Sequence, residues 1–271
     1  MVGLKIPFPE RTLIEGIPVE VRRSKRRRTR IGLAFDPAGF VLVEAPLDAG
    51  AGEIRGLIRE HKRWLQHRLD KVTNATGLTA CLSYRAGELI HFLGNPYELV
   101  VRDGRIDTVM LKPRRSGPEQ LGLFSRCHVR GQILVTLQPC ARQVVNTDRV
   151  DARVRTAVDG WYRARAEEQF AVALGVWRSR LPWLRGKVPA WRHRYMRSQW
   201  GSCSRSGRIS LNTHLVKAPT QLIDYVVLHE LCHLQHYDHG PRFYGLMTRH
   251  MPDWQTRRGE LDHYLPVLLQ D

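Results

Sequence analysis

The chain of 271 residues contains no run of eighteen consecutive apolar residues, which on hydropathy excludes a membrane-spanning helix. Its first segment, Met1 to Glu20, lacks the basic-then-apolar order of a secretory signal, so the cytosol is the expected compartment. Cysteine is scarce: Cys81, Cys127, Cys140, Cys203 and Cys232 are widely spaced and form no C-x-x-C. That fits reduced thiols better than a disulfide frame or a cysteine zinc knuckle. Acidic residues are in deficit as well, with 26 Asp+Glu against 43 Lys+Arg, a formal net charge of +17 and a pI near 10.4. A polyanionic partner or an anionic substrate therefore enters from the start. Apolar residues are not lacking: at 42% hydrophobic the chain can bury a core, which excludes a histone-like tail. No internal repeat at a fixed period stands out, and no low-complexity tract beyond one basic run.

The first hundred residues read as short strands, Pro18 to Val21, Ile31 to Phe35, Phe40 to Ala45, and Leu89 to Leu93 turning through Gly94-Asn95-Pro96 into Tyr97 to Val101. One helix interrupts them from Gly52 to about Val72, where Ile54, Leu57, Ile58, Trp64, Leu65 and Leu69 recur at helical spacing. Lys112 to Gly122, rich in Gly, Pro and charge, reads as a long exposed loop, followed by a strand over Gln132 to Leu137. From Asp148 the pattern turns helical, with Val154, Ala157, Val158, Trp161, Tyr162, Ala166, Phe170 and Leu174 on one face. This divides the expected organisation into 1–147 and 148–271. Val188 to Met196 and Arg208 to Leu211 are expected to pair as a hairpin, and a helix is expected to begin near Pro219.

Four of the twelve histidines, His229, His233, His236 and His239, fall within eleven residues, where even scattering would place roughly 0.5. Among them stands His229-Glu230-Leu231-Cys232-His233, the H-E-x-x-H pattern. Residues four apart on a helix lie about 40° apart around the axis and about 6 Å along it, so both imidazoles reach one ion. Glu230, rotated by about 100° from His229, borders that ion without having to ligate it and is placed to act on its water. The preceding Leu222 to Leu228 is almost continuously apolar, as a buried helix requires. The following Gln235 to Pro241 is a polar turn that Gly240-Pro241 cannot continue as helix. Such a turn can fold His239 back over the helical pair and complete a three-ligand site with one position open. His236 is the rival third ligand, although it would tie all three to one helix. The plainer reading, histidines favoured by the negative end of a helix, leaves Glu230 in an apolar helix without a partner.

The chain resembles the YgjP-like group of metal-dependent hydrolases, which is related to the SprT and WLM zinc proteases. The resemblance rests on Arg197-Ser198-Gln199-Trp200-Gly201-Ser202-Cys203-Ser204, on Ile209-Ser210-Leu211-Asn212, on Asp224 to Leu234 around the H-E-x-x-H, and on Asp238-His239-Gly240-Pro241-Arg242-Phe243. It is close over the second half and looser over the first, through Lys62-Arg63-Trp64 and Phe92-Leu93-Gly94. It implies one metal ion held by His229, His233 and His239, Glu230 as catalytic carboxylate, and a zincin-like α+β domain. Tyr244 stands where the family usually has tryptophan, and the Lys112 to Gly131 segment looks long; both bear on substrate access rather than on the ligands.

The expected fold is therefore α+β, a strand-rich N-terminal half with a zincin-like C-terminal half. The expected function is Zn2+-dependent hydrolysis, with a peptide or protein as the leading substrate. Three other readings stay open: a nucleotide phosphohydrolase, a DNA-associated SprT-like protease, and a nucleic-acid-binding module with a structural metal. Ser202 or Cys203 as nucleophile lacks a histidine partner apart from the metal cluster, so Trp200 to Cys203 reads as a tight turn beside the cleft. Cys232 reads as a small core residue, and Asn212 as the end of a strand or a cross-cleft hydrogen-bonding group. Arg22, Arg23, Lys25, Arg26, Arg27, Arg28 and Arg30 form a run without a carboxylate, a footprint for nucleic-acid or nucleotide phosphate or else a solvated connector. It has no interleaved aromatic, which weakens base stacking as its mode.

Overall fold

A computed structural model describes residues 11–23, 31–36, 40–63, 65–66, 69–70, 82–113, 129–139, 147–196, 199–265 and 267. Alpha and beta structure are mixed, and the chain packs as two compact units, 1–81 with 262–271, and 82–261. The change of pattern at Asp148 marks a long helix that starts inside the second unit. No helix among the described residues is long and apolar enough to cross a membrane.

The first unit holds a four-stranded sheet of β1 (Arg11–Ile14), β2 (Ile17–Arg23), β3 (Gly32–Asp36) and β4 (Phe40–Ala45), in the order β1-β2-β4-β3. β2 runs parallel to β4, and the other two pairings are antiparallel. Ile17, Val19 and Phe40 to Val43 fill its core. Helix α1 (Ala51–Glu60) covers it with Ile54 and Ile58, one turn apart on one face. Helical backbone recurs at 62–63, 65–66 and 69–70, with Leu65 and Leu69 buried, in keeping with the long helix expected there.

The second unit opens on a sheet of the same topology. β5 (Leu89–Phe92), β6 (Asn95–Asp103), β7 (Thr108–Pro113) and β8 (Gly131–Leu137) lie in the order β5-β6-β8-β7, again with one parallel pair, β6 with β8. Both hairpins turn on two residues at positive φ, Glu15-Gly16 at 54° and 79° and Leu93-Gly94 at 49° and 78°. That is the type I′ geometry matching the right-handed twist of the strands. Gly16-Ile17-Pro18-Val19-Glu20 and Gly94-Asn95-Pro96-Tyr97-Glu98 share Gly, Pro and Glu at matching places. The chain thus carries an internal repeat that inspection for a fixed period misses. The turn also falls one residue earlier than expected, leaving Asn95 and Pro96 in β6. Lys112 and Pro113 close β7 instead of opening a loop, because they pair with Gln132 and Gly131; 114–128 lie outside the described residues.

Helix α2 (Thr147–Arg180) is 34 residues long, about 51 Å at 1.5 Å per residue. Val154, Val158, Tyr162, Ala166, Phe170 and Leu174 recur every four residues and bury one stripe. Its first half seals the β5–β6 hairpin, with Trp161 on Phe92 at 4.9 Å and Tyr162 Oη donating to the His91 carbonyl at 2.6 Å. Its second half packs on a small sheet of β9 (Trp191–Arg194), β10 (Gly201–Cys203) and β11 (Ile209–Asn212), in the order β10-β11-β9. The expected hairpin between Val188 to Met196 and Arg208 to Leu211 is corrected here. β9 and β11 pair in parallel, and the antiparallel partner of β11 is β10, a strand where a tight turn was expected. Ser204 to Gly207 makes the turn between β10 and β11, so only the short β10 reaches β11 by a two-way fold of the chain.

Helix α3 (Thr220–Cys232) follows, with Pro219 as its N-cap rather than its first turn. Nine of its thirteen residues are buried, so it is a core helix with apolar side chains on all sides. The β5–β6 turn fixes its start: Leu93 N donates to the Val216 carbonyl at 2.9 Å and Gly94 N to the Lys217 carbonyl at 3.0 Å. A Cβ on Gly94 would lie 2.6 Å from Pro219 Cγ, so only glycine lets the turn approach this closely. Helices α4 (Pro241–His250) and α5 (Trp254–Asp262) complete the described fold.

Candidate metal centre

His229 lies in the last turn of α3 and His233 is its C-cap, still at helical φ and ψ of −65° and −19°. The chain then leaves the helix, and Gly240-Pro241 starts α4, with proline at a first-turn position where its missing N–H costs nothing. His239 sits in that return segment. One ring nitrogen from each of His229, His233 and His239 lies within 4.8 Å of the others. His229 Nε2 and His239 Nε2 stand 3.1 Å apart, close to the roughly 3.3 Å expected between two ligands each about 2.05 Å from a tetrahedral ion. His233 Nδ1 donates to the His236 carbonyl at 3.1 Å, which leaves its Nε2 lone pair for the cluster. His236 thus contributes its backbone, and its ring is not in the converging set. Three imidazoles form a donor set that suits a borderline divalent cation.

Electrostatics agree with that protonation. Burial, then the charge His233, His239 and Arg258 would bring, pulls the His229 pKa down to about 3. Burial also lowers that of His233. Phe243, fully buried on α4, forms a floor under all three rings, 4.9 Å from His229, 4.6 Å from His233 and 4.8 Å from His239. Tyr244 beside it lies 6.3 Å from the His239 ring and stacks on Trp254 at 5.1 Å.

Glu230 is 4% exposed, and burial pushes its carboxyl up to about 8. Its Oε2 is buried without a hydrogen-bond partner. The carboxylate rests on the backbone of β10, where a Cβ on Gly201 would come within 2.6 Å of Glu230 Oε1. Gly201 is therefore required by the carboxylate above it. Cys203, on the same strand, has its thiol pushed up to about 11, by burial first and by Glu230 second, which disfavours a thiolate nucleophile there. Cys232 is buried, and burial pushes its thiol up to about 12. Cys203 and Cys232 are free thiols, while Cys81, Cys127 and Cys140 lie outside the described residues. Asn212 is fully buried and makes local bonds rather than spanning the cleft. Its Nδ2 donates to the Met196 carbonyl at 2.6 Å and the Gln199 carbonyl at 2.9 Å, and its Oδ1 accepts from His214 N at 3.1 Å.

The sequence profile of the YgjP-like metallopeptidase domain matches residues 29–264. The chain belongs to the YgjP-like metallopeptidase family. No curated protein and no solved structure gives a significant match. Membership supports a metal-dependent hydrolase of the peptidase type and implies a metal cofactor, which the cluster of His229, His233 and His239 could hold.

The histidines and Glu230 were legible in the YgjP-like chain's sequence; Phe243 and Gly201 were not assigned roles there. Phe243 has a signal in its pairing with Met247 at i+4 on a short helix begun by Pro241, and Gly201 in being a glycine inside a strand. Of the basic run, Arg22 and Arg23 end β2 in the first unit, and Lys25, Arg26, Arg27, Arg28 and Arg30 lie outside the described residues.

Proposed function

We propose that this chain is a zinc-dependent peptidase of zincin-like design, in which His229, His233 and His239 hold one ion and Glu230 moves the protons. The observation that carries the proposal is the unpartnered, buried oxygen of Glu230 next in sequence to a histidine whose ring converges with two others. Bound by these three nitrogens, zinc would supply the Lewis acidity that acidifies the attacking water and polarises the scissile carbonyl. In its deprotonated form, made more basic by burial, Glu230 accepts the proton of that water at a carboxylate oxygen and returns it to the leaving amine nitrogen. Gly201 holds the carboxylate in place from below, and Phe243 and the His236 carbonyl hold the imidazoles. With Glu230 rotated about 100° from His229 around the helix, proton transfer and metal binding fall to different groups.

A second reading, hydrolysis of a nucleotide phosphoanhydride at the same centre, draws on Arg258, whose charge reaches His229. Casein and a panel of nucleoside triphosphates offered to one zinc-loaded preparation separate the two. Glu230→Gln is expected to keep its zinc by elemental analysis while casein cleavage falls by about 100-fold or more. His239→Ala is expected to lose zinc and His236→Ala to keep it. Full cleavage by the Gln variant removes Glu230 from the mechanism, and a reversed pair of histidine results removes His239 from the ligand set.

A further inference from the structure

We propose that the seam between the β1–β2 hairpin and α1 binds the phosphate backbone of a nucleic acid strand. A groove of about 1180 Å³ runs there, lined by Leu13 and Ile14 of the hairpin and by Arg22, Arg23, Arg55 and Arg59. Arg55, Arg59 and Lys62, at i, i+4 and i+7, share one face of the helical segment over about 10 Å. All three reach Glu15 at the hairpin turn, whose carboxyl is held below the usual range first by the hydrogen bond from Arg59. Among the described residues Glu15 and Glu20 pair with arginines of this surface, Glu44 stands opposite Arg22 in the register of β2 and β4, and neither Glu15 nor Glu20 uses up its arginine. Of Arg22 the bond to Glu20 engages Nε, and of Arg59 Glu15 engages Nε and Nη2. Among the described residues, Arg55 has no hydrogen bond or ion pair. Arg23 anchors the groove, with Nη1 on the carbonyls of Ala49 at 2.7 Å and Leu47 at 3.1 Å.

The matching seam of the second unit shows what a closed version looks like. There Phe92, at the place of Ile14, packs on Trp161, and Tyr162 bonds the hairpin backbone. In the first unit the same seam is open and its walls carry guanidinium groups, of which Arg22 and Arg59 keep nitrogens that Glu20 and Glu15 do not use and Arg55 makes no ion pair among the described residues. A strand of phosphates supplies several anions along one line, whereas a single phosphate would fill only part of a row about 10 Å long. Leu13, 72% exposed at the lip, offers an apolar contact for sugar or base. Arg22 and Arg23 are also the first two cations of the run that continues to Arg30.

The test uses the full chain and short fluorescein-labelled DNA, single strand and duplex, read by anisotropy across a series of NaCl concentrations. Arg22→Gln/Arg55→Gln is expected to weaken binding at least about tenfold in 0.1 M salt and to flatten the slope of log K against log salt by about 2 units, one per lost phosphate contact. Arg55→Gln alone should flatten it by about 1 unit. Arg102→Gln/Arg105→Gln removes the same charge from exposed positions of the second unit and should leave the slope near parental. Thermal melts confirm that the variants fold. The proposal is overturned if the groove variants bind with parental affinity and slope, if the control pair lowers the slope as much, or if the chain binds phosphatidylserine vesicles and no DNA.

Discussion

The two four-stranded sheets share strand order, the single parallel pair, the I′ hairpin and a following helix, yet they do different work. In the second unit the hairpin is sealed by aromatic side chains and its turn is fastened to the entrance of the metal-site helix. In the first, nothing lies within 4 Å of where a Cβ on Gly16 would stand, and the seam beside it is cationic. One backbone plan thus serves once as a mount for the candidate metal centre and once as an open edge. The difference lies in a few side chains: Phe92 for Ile14, Trp161 and Tyr162 for the arginines of α1.

The strongest way to break that contrast is to empty the sealed seam. Phe92→Ala should cost about 3–4 kcal/mol in a urea melt, while Ile14→Ala, on a partly exposed site, should cost about 1 kcal/mol. Equal losses would mean that the seams are alike. Next in size is the pair of turn glycines. Gly94→Ala combines a positive φ with a 2.6 Å approach to Pro219 and should cost about 2–3 kcal/mol, against about 1 kcal/mol for Gly16→Ala, which meets only the φ penalty. Thermal denaturation of the two variants side by side decides it, and a smaller loss at Gly94 would remove the turn as the fastening of α3. The smallest effect belongs to the paired glutamates. Glu20→Gln gives up a charge-assisted bond to Arg22 and should cost about 1 kcal/mol, whereas Glu98→Gln, facing the Gln132 amide, should cost less than about 0.5 kcal/mol.

The convergence of the candidate ligands was legible because the residues lie close together in sequence. His229, Glu230 and His233 are set by helical spacing, and His239 by a turn that Gly240-Pro241 forces. The strands β2, β4, β5 and β8 were read within a residue or two at each end, from short apolar runs bounded by turn residues. What failed was long-range. The parallel pairing of β9 with β11 depends on which strand reaches the middle of the sheet, which apolar content alone does not encode. β10 was hidden because Trp200-Gly201-Ser202-Cys203 has the composition of a turn. The internal repeat survives in three residues, Gly, Pro and Glu, since the two hairpins were filled differently around a common backbone. Gly201 and Phe243 act across the fold, on Glu230 and on the imidazoles, and so have no neighbour in sequence that announces them.

Phe243 carries one more consequence. Many small zinc modules are built around their ion and fall apart without it. Here the three rings lean on a buried phenyl ring that belongs to the core and would be there in any case. The socket is a shelf before it is a clasp. Stripping the ion with a chelator should silence the protein while leaving its shape standing, so that loading becomes a reversible question of supply rather than a step of folding.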